Sequence, residues 1–499
     1  MKNIKTTIIG IGILLGTSSI TPVLAQTLED ALRYSQYNAT GSARIMGIGG
    51  SQFAIGGDVS NISGNPAGLG FFRKSEFSFT PSYGNWKSTS SFMGQPQEDN
   101  KGNFSLPNIS IVMAKVKDPL NQDDWRGHSF GISYNRINNF NNTFGYFSAI
   151  GSPTSLLDYY ADDYNMYGEP VIGDPAGLPL DVELVVSDGG SFYPSDYTYN
   201  PNEDGSPNYD NPIAPFQDEL IRNEGNLSQF TFAYGGNYKN KLFIGGSMGI
   251  TSINYTSRKI FNEQFTDQDN NNSLYYSLAE NLHHSGTGIN LNLGIIYKPI
   301  DQINIGASFS SPTWARYEEV FDSDILAEFY DLNGNLESED QAYSNIYEST
   351  INLTTPMKLS GGMAFFINKN GFITADVDFL NYSSMNLSSS DYRLNAANED
   401  IDNTMGNVLN YRIGGEWRIN MFRLRAGTAL YGDPYKDSEL DRSRTQYTGG
   451  VGVKLAKMYV DLGIVHSQFD SYYTSYPGAE LTTIDNSNTQ GLLTLGFNF

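Results

Sequence analysis

The chain contains no cysteine, so neither a disulfide framework nor a cysteine-ligated metal centre can be part of it. Basic residues are scarce: 31 Lys and Arg stand against 54 Asp and Glu, a net charge of −23. A phosphate-binding surface needs a basic stripe, and none is visible, so no nucleic-acid partner is expected. Long apolar runs are missing as well. After Ile8–Leu15 no segment approaches 18 consecutive apolar residues, so no membrane-spanning helix is expected, and a secreted soluble protein and a membrane β-barrel both remain open.

Catalytic and cofactor signatures are equally thin. There is no P-loop and no dinucleotide fingerprint. Gly245-Gly246-Ser247-Met248-Gly249 matches the nucleophile-elbow pattern but lies in an alternating strand with no following helix, so Ser247 is not expected to be catalytic. Of the four histidines, His128 and His466 fall in strands and His283-His284 in an expected loop, none with an evident nucleophile. The His283-His284 pair could ligate a metal or haem at the cell surface, but solvated histidines are the plainer reading. Asp267–Asn271 opens like a calcium loop yet lacks the sixth-position Gly and twelfth-position Glu of a complete EF-hand. The expectation is therefore no enzyme, no cofactor and no metal.

What the chain does have begins with a leader. Lys2 and Lys5, the apolar run Ile8–Leu15 and Val23-Leu24-Ala25 read as a signal peptide over residues 1–25, with a mature start at Gln26. Thr27–Asp30 then offers an N-cap and early carboxylates for a short helix to about Tyr37. Next comes Gly41–Phe72, with nine glycines at 41, 47, 49, 50, 56, 57, 64, 68 and 70 among isolated apolar residues. That is too much glycine for a stable helix, and it suits a compact coil walled in by something else. Residues 26–72 are thus expected to be a hatch inside a lumen. Pro66 fixes φ, and Gly68 is expected to take a left-handed turn that reverses the chain into the wall.

From residue 73 the period changes to two. The pattern predicts fourteen strands over 73–499, from Phe77–Gly84 to Thr489–Phe499. The connections alternate long and short, with long segments at 138–226, 257–285 and 313–354 read as acidic extracellular loops; residues 138–226 alone hold fifteen Asp and Glu against Arg222. A barrel with both termini in the periplasm requires this alternation. Gly286–Lys298 is the cleanest strand, with Ile289, Leu291, Leu293, Ile295 and Tyr297 on one face. The last strand places Leu493, Leu495, Phe497 and Phe499 on one face and stops at the aromatic, a feature read as an assembly signal for the barrel-assembly machinery. The 33 tyrosines suit aromatic girdles at the membrane interfaces.

Asn65-Pro66-Ala67-Gly68-Leu69, just before the first strand, resembles the NPAG(L) signature of the outer-membrane long-chain fatty-acid transporter (FadL) family, which includes aromatic-hydrocarbon channels. The order of leader, short helix, glycine-rich hatch, strands and terminal phenylalanine extends the resemblance over the whole chain. It implies a 14-stranded antiparallel barrel in the outer membrane of a Gram-negative bacterium, with lipid and lipopolysaccharide around a monomer. It also implies passive uptake of hydrophobic small molecules, with ligand binding shifting the hatch and a sideways exit through a gap in the wall. The residues expected to meet substrate are Ile45, Met46, Ile48, Phe53, Ile55, Phe71 and Phe72. The alternatives are a structural or adhesive surface barrel binding a partner through its loops, a haem or aromatic-compound receptor of the same fold, and a general polar porin.

Overall fold

The computed structural model describes residues 24–118, 123–268 and 271–499; the expected leader lies almost wholly outside them. Fourteen antiparallel staves close on themselves. They are β1 (Glu76–Phe92), β2 (Gln95–Val116), β3 (Trp125–Asn139), β4 (Phe216–Tyr238), β5 (Leu242–Thr266), β6 (Asn272–Ile300) and β7 (Ile303–Ser310), then β8 (Lys358–Ile367), β9 (Gly371–Asn381), β10 (Asn407–Ile419), β11 (Phe422–Tyr431), β12 (Arg444–Lys454), β13 (Met458–Tyr473) and β14 (Thr482–Asn498). Closure is made by β1 on β14, in register from Glu76↔Asn498 to Ser91↔Thr483. No described helix is long and apolar enough to cross a membrane.

Period-two alternation sets which side chain faces where. On β6, Ile289, Leu291, Leu293, Ile295 and Tyr297 all stand exposed, while Asn292 and Ile296 between them are buried. On β14, Phe497 is exposed, as is Phe499 just after it, and Thr494 is fully buried, its Oγ1 accepting the Ala43 amide at 2.8 Å. Such a belt of exposed apolar groups, continued by Leu409, Tyr411 and Ile413 on β10 and by Leu462 and Ile464 on β13, is not tolerated against water but is what hydrocarbon solvates.

The strands run further than the sequence suggested. Two segments read as loops, 257–285 and 313–354, are mostly strand: β5 and β6 pair continuously from Leu242↔Tyr297 to Phe265↔Leu274, and Trp314–Tyr330 pairs with the upper half of β6. Polar residues dominate there, yet alternate buried and exposed positions persist, so the wall rises beyond the lipid-facing belt as a polar collar. The β1–β2 hairpin likewise continues to a tight turn at Met93-Gly94, both at positive φ, a geometry that suits the twist of paired strands. Of the expected loops, 138–226 does hold irregular structure, with a helix at Leu156–Tyr167 and short hairpins before β4 begins at Phe216.

Candidate functional site

Most of residues 43–71 are buried, with Arg44, Gly56, Gly57, Ser63 and Phe71 half-buried, and the segment contacts strands around the circumference. Helix α1 (Leu24–Ser35) precedes helix α2 (Ala43–Met46), and two 3-10 turns, Val59–Ile62 and Pro66–Phe71, follow. Ser42 caps α2 and donates to Asp58 Oδ1 at 2.9 Å, while Asp58 caps the first 3-10 turn. Arg44 spans Asp58 and Glu416 of β10 at 3.3 Å each, and Glu416 passes the contact to Arg425 at 2.9 Å, which reaches Asp461 at 2.6 Å. Burial opposes the charge on Arg44, but the carboxylates of Glu416 and Asp58 outweigh it and raise its pKa. On the neighbouring strand β9, Asp376 Oδ2 accepts the amides of Gln52 at 2.6 Å and Phe53 at 3.1 Å.

The Asn65–Leu69 motif does not form a left-handed turn: Gly68 is absent from the positive-φ residues and sits in the 3-10 turn. Its missing side chain is needed for space, because a Cβ there would overlap Asn61. Asn65 is fully buried and fastens three layers. Its Oδ1 accepts from Ala67, and its Nδ2 donates to Phe53 O at 2.7 Å and contacts the carbonyls of Ile295 and Ala307 at 3.4 and 3.3 Å. The wall is cut away to receive it: a Cβ at Gly294 would overlap Asn65, and one at Gly245 or Gly235 would press on the Pro66 backbone. Gly306 meets Phe53 in the same way, and Gly414 and Gly427 meet Ile48.

The residues expected to meet substrate mostly fasten this plug. Ile45, Ile48 and Ile55 cluster with Ala54, Ala364 and Phe372. Phe53 lies between the cations of Lys358 and Arg412, at 5.6 and 5.2 Å from its ring centre. Phe71 stacks on Phe243 at 3.8 Å, and Phe72 packs with Val59, Ile62, Leu69 and Val112. Of the seven, Met46 borders the larger of the two cavities described next. The others are held by packing: these Ile and Phe side chains fill the gap between a glycine-rich coil and the wall, against Ala364, Phe372, Phe243 and Val112.

Above the plug lie two cavities, of about 460 and 130 Å3. Both are bordered by Gln36, Tyr37, Asn38 and Thr40, so the linker between α1 and α2 separates them. The larger is lined by five basic side chains, Arg33, Lys101, Arg136, Arg442 and Arg444, against Glu29 as its one acidic residue, in a chain whose net charge is strongly negative. Apolar groups such as Leu32, Ile137, Val465 and Leu492 share that lining. The smaller adds Lys358, whose ammonium sits 3.1 Å over the Tyr37 ring, beside Leu227, Ile253 and Leu380. Burial pushes the Tyr37 phenol up to about 12.

The larger cavity reaches a break in the wall. β2 pairs with β3 from Val116↔Gly127 to Asn108↔Asn135 and, among the described residues, no further. Below the break, Asn108 donates to Asn135 at 2.6 Å; above it, Gly145 donates to Asp99 at 2.9 Å and Lys101 pairs with Glu224 at 2.9 Å. Pro107 has no N–H to continue the ladder, and β3 slips register against β4 between Arg136 and Asn138. Asn103, Ser105, Pro107, Arg136 and Asn138 border the cavity at this point, and Phe104 stands outside it, 73% exposed.

None of this cluster was visible beforehand. Apart from Arg442 and Arg444, the basic residues are far apart in sequence, and the pairing register brings them to one chamber. Pro107 inside a strand was the one available signal, since proline in a ladder marks an edge or an interruption.

No protein-family model matches the chain, and no curated protein matches it. Solved structures do. A crystal structure of a Pseudomonas aeruginosa FadL homologue superposes with a TM-score of 0.55 at 12% identity, covering 93% of this chain and 100% of that one. The Pseudomonas putida toluene transporter TodX gives 0.49 at 12% identity over 93% and 100%. The class of protein is therefore a closed β-barrel of the outer-membrane type, and its fold is that of the FadL-type barrels.

Proposed function

We propose that this protein is a passive outer-membrane channel for hydrophobic small molecules, with long-chain fatty acids as the substrate class and the N-terminal segment, residues 26–72, controlling passage. The observation that carries the reading is the larger cavity: a cation-lined, partly apolar chamber that opens on an unpaired stretch of wall. An acidic exterior offers no general reason to collect cations inside, whereas a carboxylate head with an alkyl tail uses both linings at once. Each methylene removed from water contributes about 0.8 kcal/mol, and the basic groups orient the head.

Passage then has three stages. Substrate enters the chamber from the collar, its head held near Arg136 and Arg444. The linker 36–40 reaches the wall through Thr40 Oγ1 to the Arg136 carbonyl at 3.0 Å, Ala39 N to the Tyr431 hydroxyl at 3.4 Å, Arg444 to the Tyr37 carbonyl at 3.5 Å and the Lys358 ammonium over the Tyr37 ring, and exchange of these few contacts displaces it and joins the two cavities. The tail leaves sideways between β2 and β3 and enters lipid without crossing water. The glycine-seated plug keeps the periplasmic side closed to polar solutes.

The test is uptake of a labelled long-chain fatty acid into proteoliposomes. Exchange of Arg136 and Arg444 together for Gln is expected to lower uptake at least tenfold with barrel yield unchanged. Wild-type uptake no faster than into protein-free liposomes would reject the reading and leave a surface-binding barrel.

A further inference from the structure

The mature N-terminal helix carries two groups into a buried cluster at the collar that the transport reading does not use. His284 of β6 is fully buried, its Nδ1 2.6 Å from the Tyr34 hydroxyl and its Nε2 2.8 Å from Glu319 Oε2. Asp30, one turn before Tyr34 on α1 and 1% exposed, offers a carboxylate oxygen in the same space; the ligand atoms of Asp30, His284 and Glu319 all lie within 4.8 Å of one another. Arg33 pairs with Asp30 Oδ1, but Asp30 Oδ2 is buried and has no hydrogen-bond partner. The Tyr317 hydroxyl, two residues before Glu319 on the same face, is also buried without one. Glu319 Oε1 receives only a long contact from Ser349 at 3.4 Å.

A buried carboxylate oxygen without a donor costs free energy that folding normally avoids. Two carboxylates and an imidazole converging from three chain segments are a ligand set for a borderline divalent transition ion, which takes His nitrogen and Asp or Glu oxygen at about 2.0–2.2 Å. Imidazole disfavours calcium and magnesium, and the absence of thiolate leaves zinc as the best match. A small cavity bordered by Asp30, Arg33, Lys259 and Glu280 reaches the cluster and supplies a path for entry.

We propose that Asp30, His284 and Glu319 form a zinc site that clamps the mature N-terminal helix to the collar. Zinc takes the place of the proton between His284 Nε2 and Glu319, and that proton resides instead on Nδ1 as a donor to the Tyr34 oxygen, so the imidazole stays neutral and no proton is lost. The outer-shell bond to Tyr34 then fixes the ring, as in many histidine-ligated metal sites. The ion links α1 to two strands that are otherwise joined to it only by packing and hydrogen bonds. This inference concerns the attachment of α1 and does not depend on the substrate.

The full mature barrel, refolded in detergent and treated with chelator, is titrated with zinc chloride by calorimetry and, separately, with cobalt(II), whose visible absorption reports nitrogen and oxygen ligation. Wild type is expected to bind one equivalent of zinc and to slow amide exchange over residues 28–35. Asp30→Asn and His284→Asn are each expected to weaken binding by tenfold or more, whereas His283→Ala, altering the neighbouring ring, leaves it unchanged. Wild-type protein with no stoichiometric binding at 0.1 mM zinc (about this order being ample for a three-ligand site), or binding indifferent to both ligand variants, overturns the proposal. Should the variants fail to fold, the wild-type cobalt spectrum and exchange data still decide it.

Discussion

Asn65 of the plug and Gly294 of β6 occupy one space across the boundary between coil and wall: a Cβ at position 294 would fall on Asn65 Oδ1. Gly294→Val is therefore expected to evict Asn65 while leaving a β-branched residue that strands favour. Overpacking of this kind costs about 1–3 kcal/mol, small against a closed barrel. The expected phenotype is a folded barrel, still resistant to detergent, with raised permeability to small sugars in a liposome-swelling assay. Permeability equal to wild type would show that the plug tolerates displacement.

Arg44 joins the plug to the wall through Glu416 and is braced within the plug by Asp58, both carboxylates buried. Arg44→Met leaves those carboxylates with one fewer cation, and breaking a buried ion pair from one side costs about 3–5 kcal/mol. Because Arg425 and Arg418 still contact Glu416, the lower end of that range is expected, seen as a fall in the thermal midpoint. Arg44→Met with Asp58→Asn should recover part of the loss; a double variant less stable than the sum of the singles would argue against this pairing.

For the wall, Leu493 faces outward beside Leu462, and Thr494 faces inward on Ala43. Leu493→Arg places a charge against lipid at a cost of about 2–4 kcal/mol near mid-depth, so assembled barrel should be depleted in outer-membrane fractions. Asn498→Arg, of the opposite parity, should assemble normally. Equal depletion by both would contradict the assigned faces.

The break between β2 and β3 is testable on a chain without native cysteine. Ser105→Cys with Asn138→Cys, joined by a short bis-maleimide, spans the unpaired stretch. Crosslinking is expected to reduce fatty-acid uptake to the level of empty liposomes, while the uncrosslinked double variant transports normally. Undiminished uptake after complete crosslinking would place the exit elsewhere.

The barrel was legible in the sequence because its physics is local. Alternation such as Ile289-Asn290-Leu291-Asn292-Leu293 specifies a two-faced strand whatever its neighbours are, and turns such as Lys239-Asn240 carry the positive φ their positions demand. The glycine-rich segment, too, declared that something else must wall it in. The extent of the strands was hidden: above the lipid belt polar residues such as Asn254, Thr256 and Arg258 take the outward face, and Ser257, Glu263 and His284 interrupt an inward face otherwise carrying Tyr255, Phe261 and Leu282, so the hydrophobic period fades although the ladder of β5 and β6 does not. The wall's receiving surface left a trace that strand reading passes over, the Gly-Gly doublets at 235–236, 245–246, 361–362, 414–415 and 449–450, which in strand interiors mark a close approach.

Everything that depends on residues distant in sequence was decided by closure and register. The carboxyl end of β14 finishes beside Ser75, at the end of the wall from which β1 starts, whereas α1 packs at the collar: Ala31, Leu32 and Tyr34 are buried with Phe140, Tyr255, Leu282 and Tyr317. Its apolar face finds a partner only where the upper strands converge. The basic chamber, the break at Pro107 and the meeting of Asp30, His284 and Glu319 have the same origin. Alternation tells each residue which side of the wall it faces, but not its height or its neighbours around the ring. Those follow from fourteen strands closing with one set of registers, a relation among all of them that no single stretch of sequence contains.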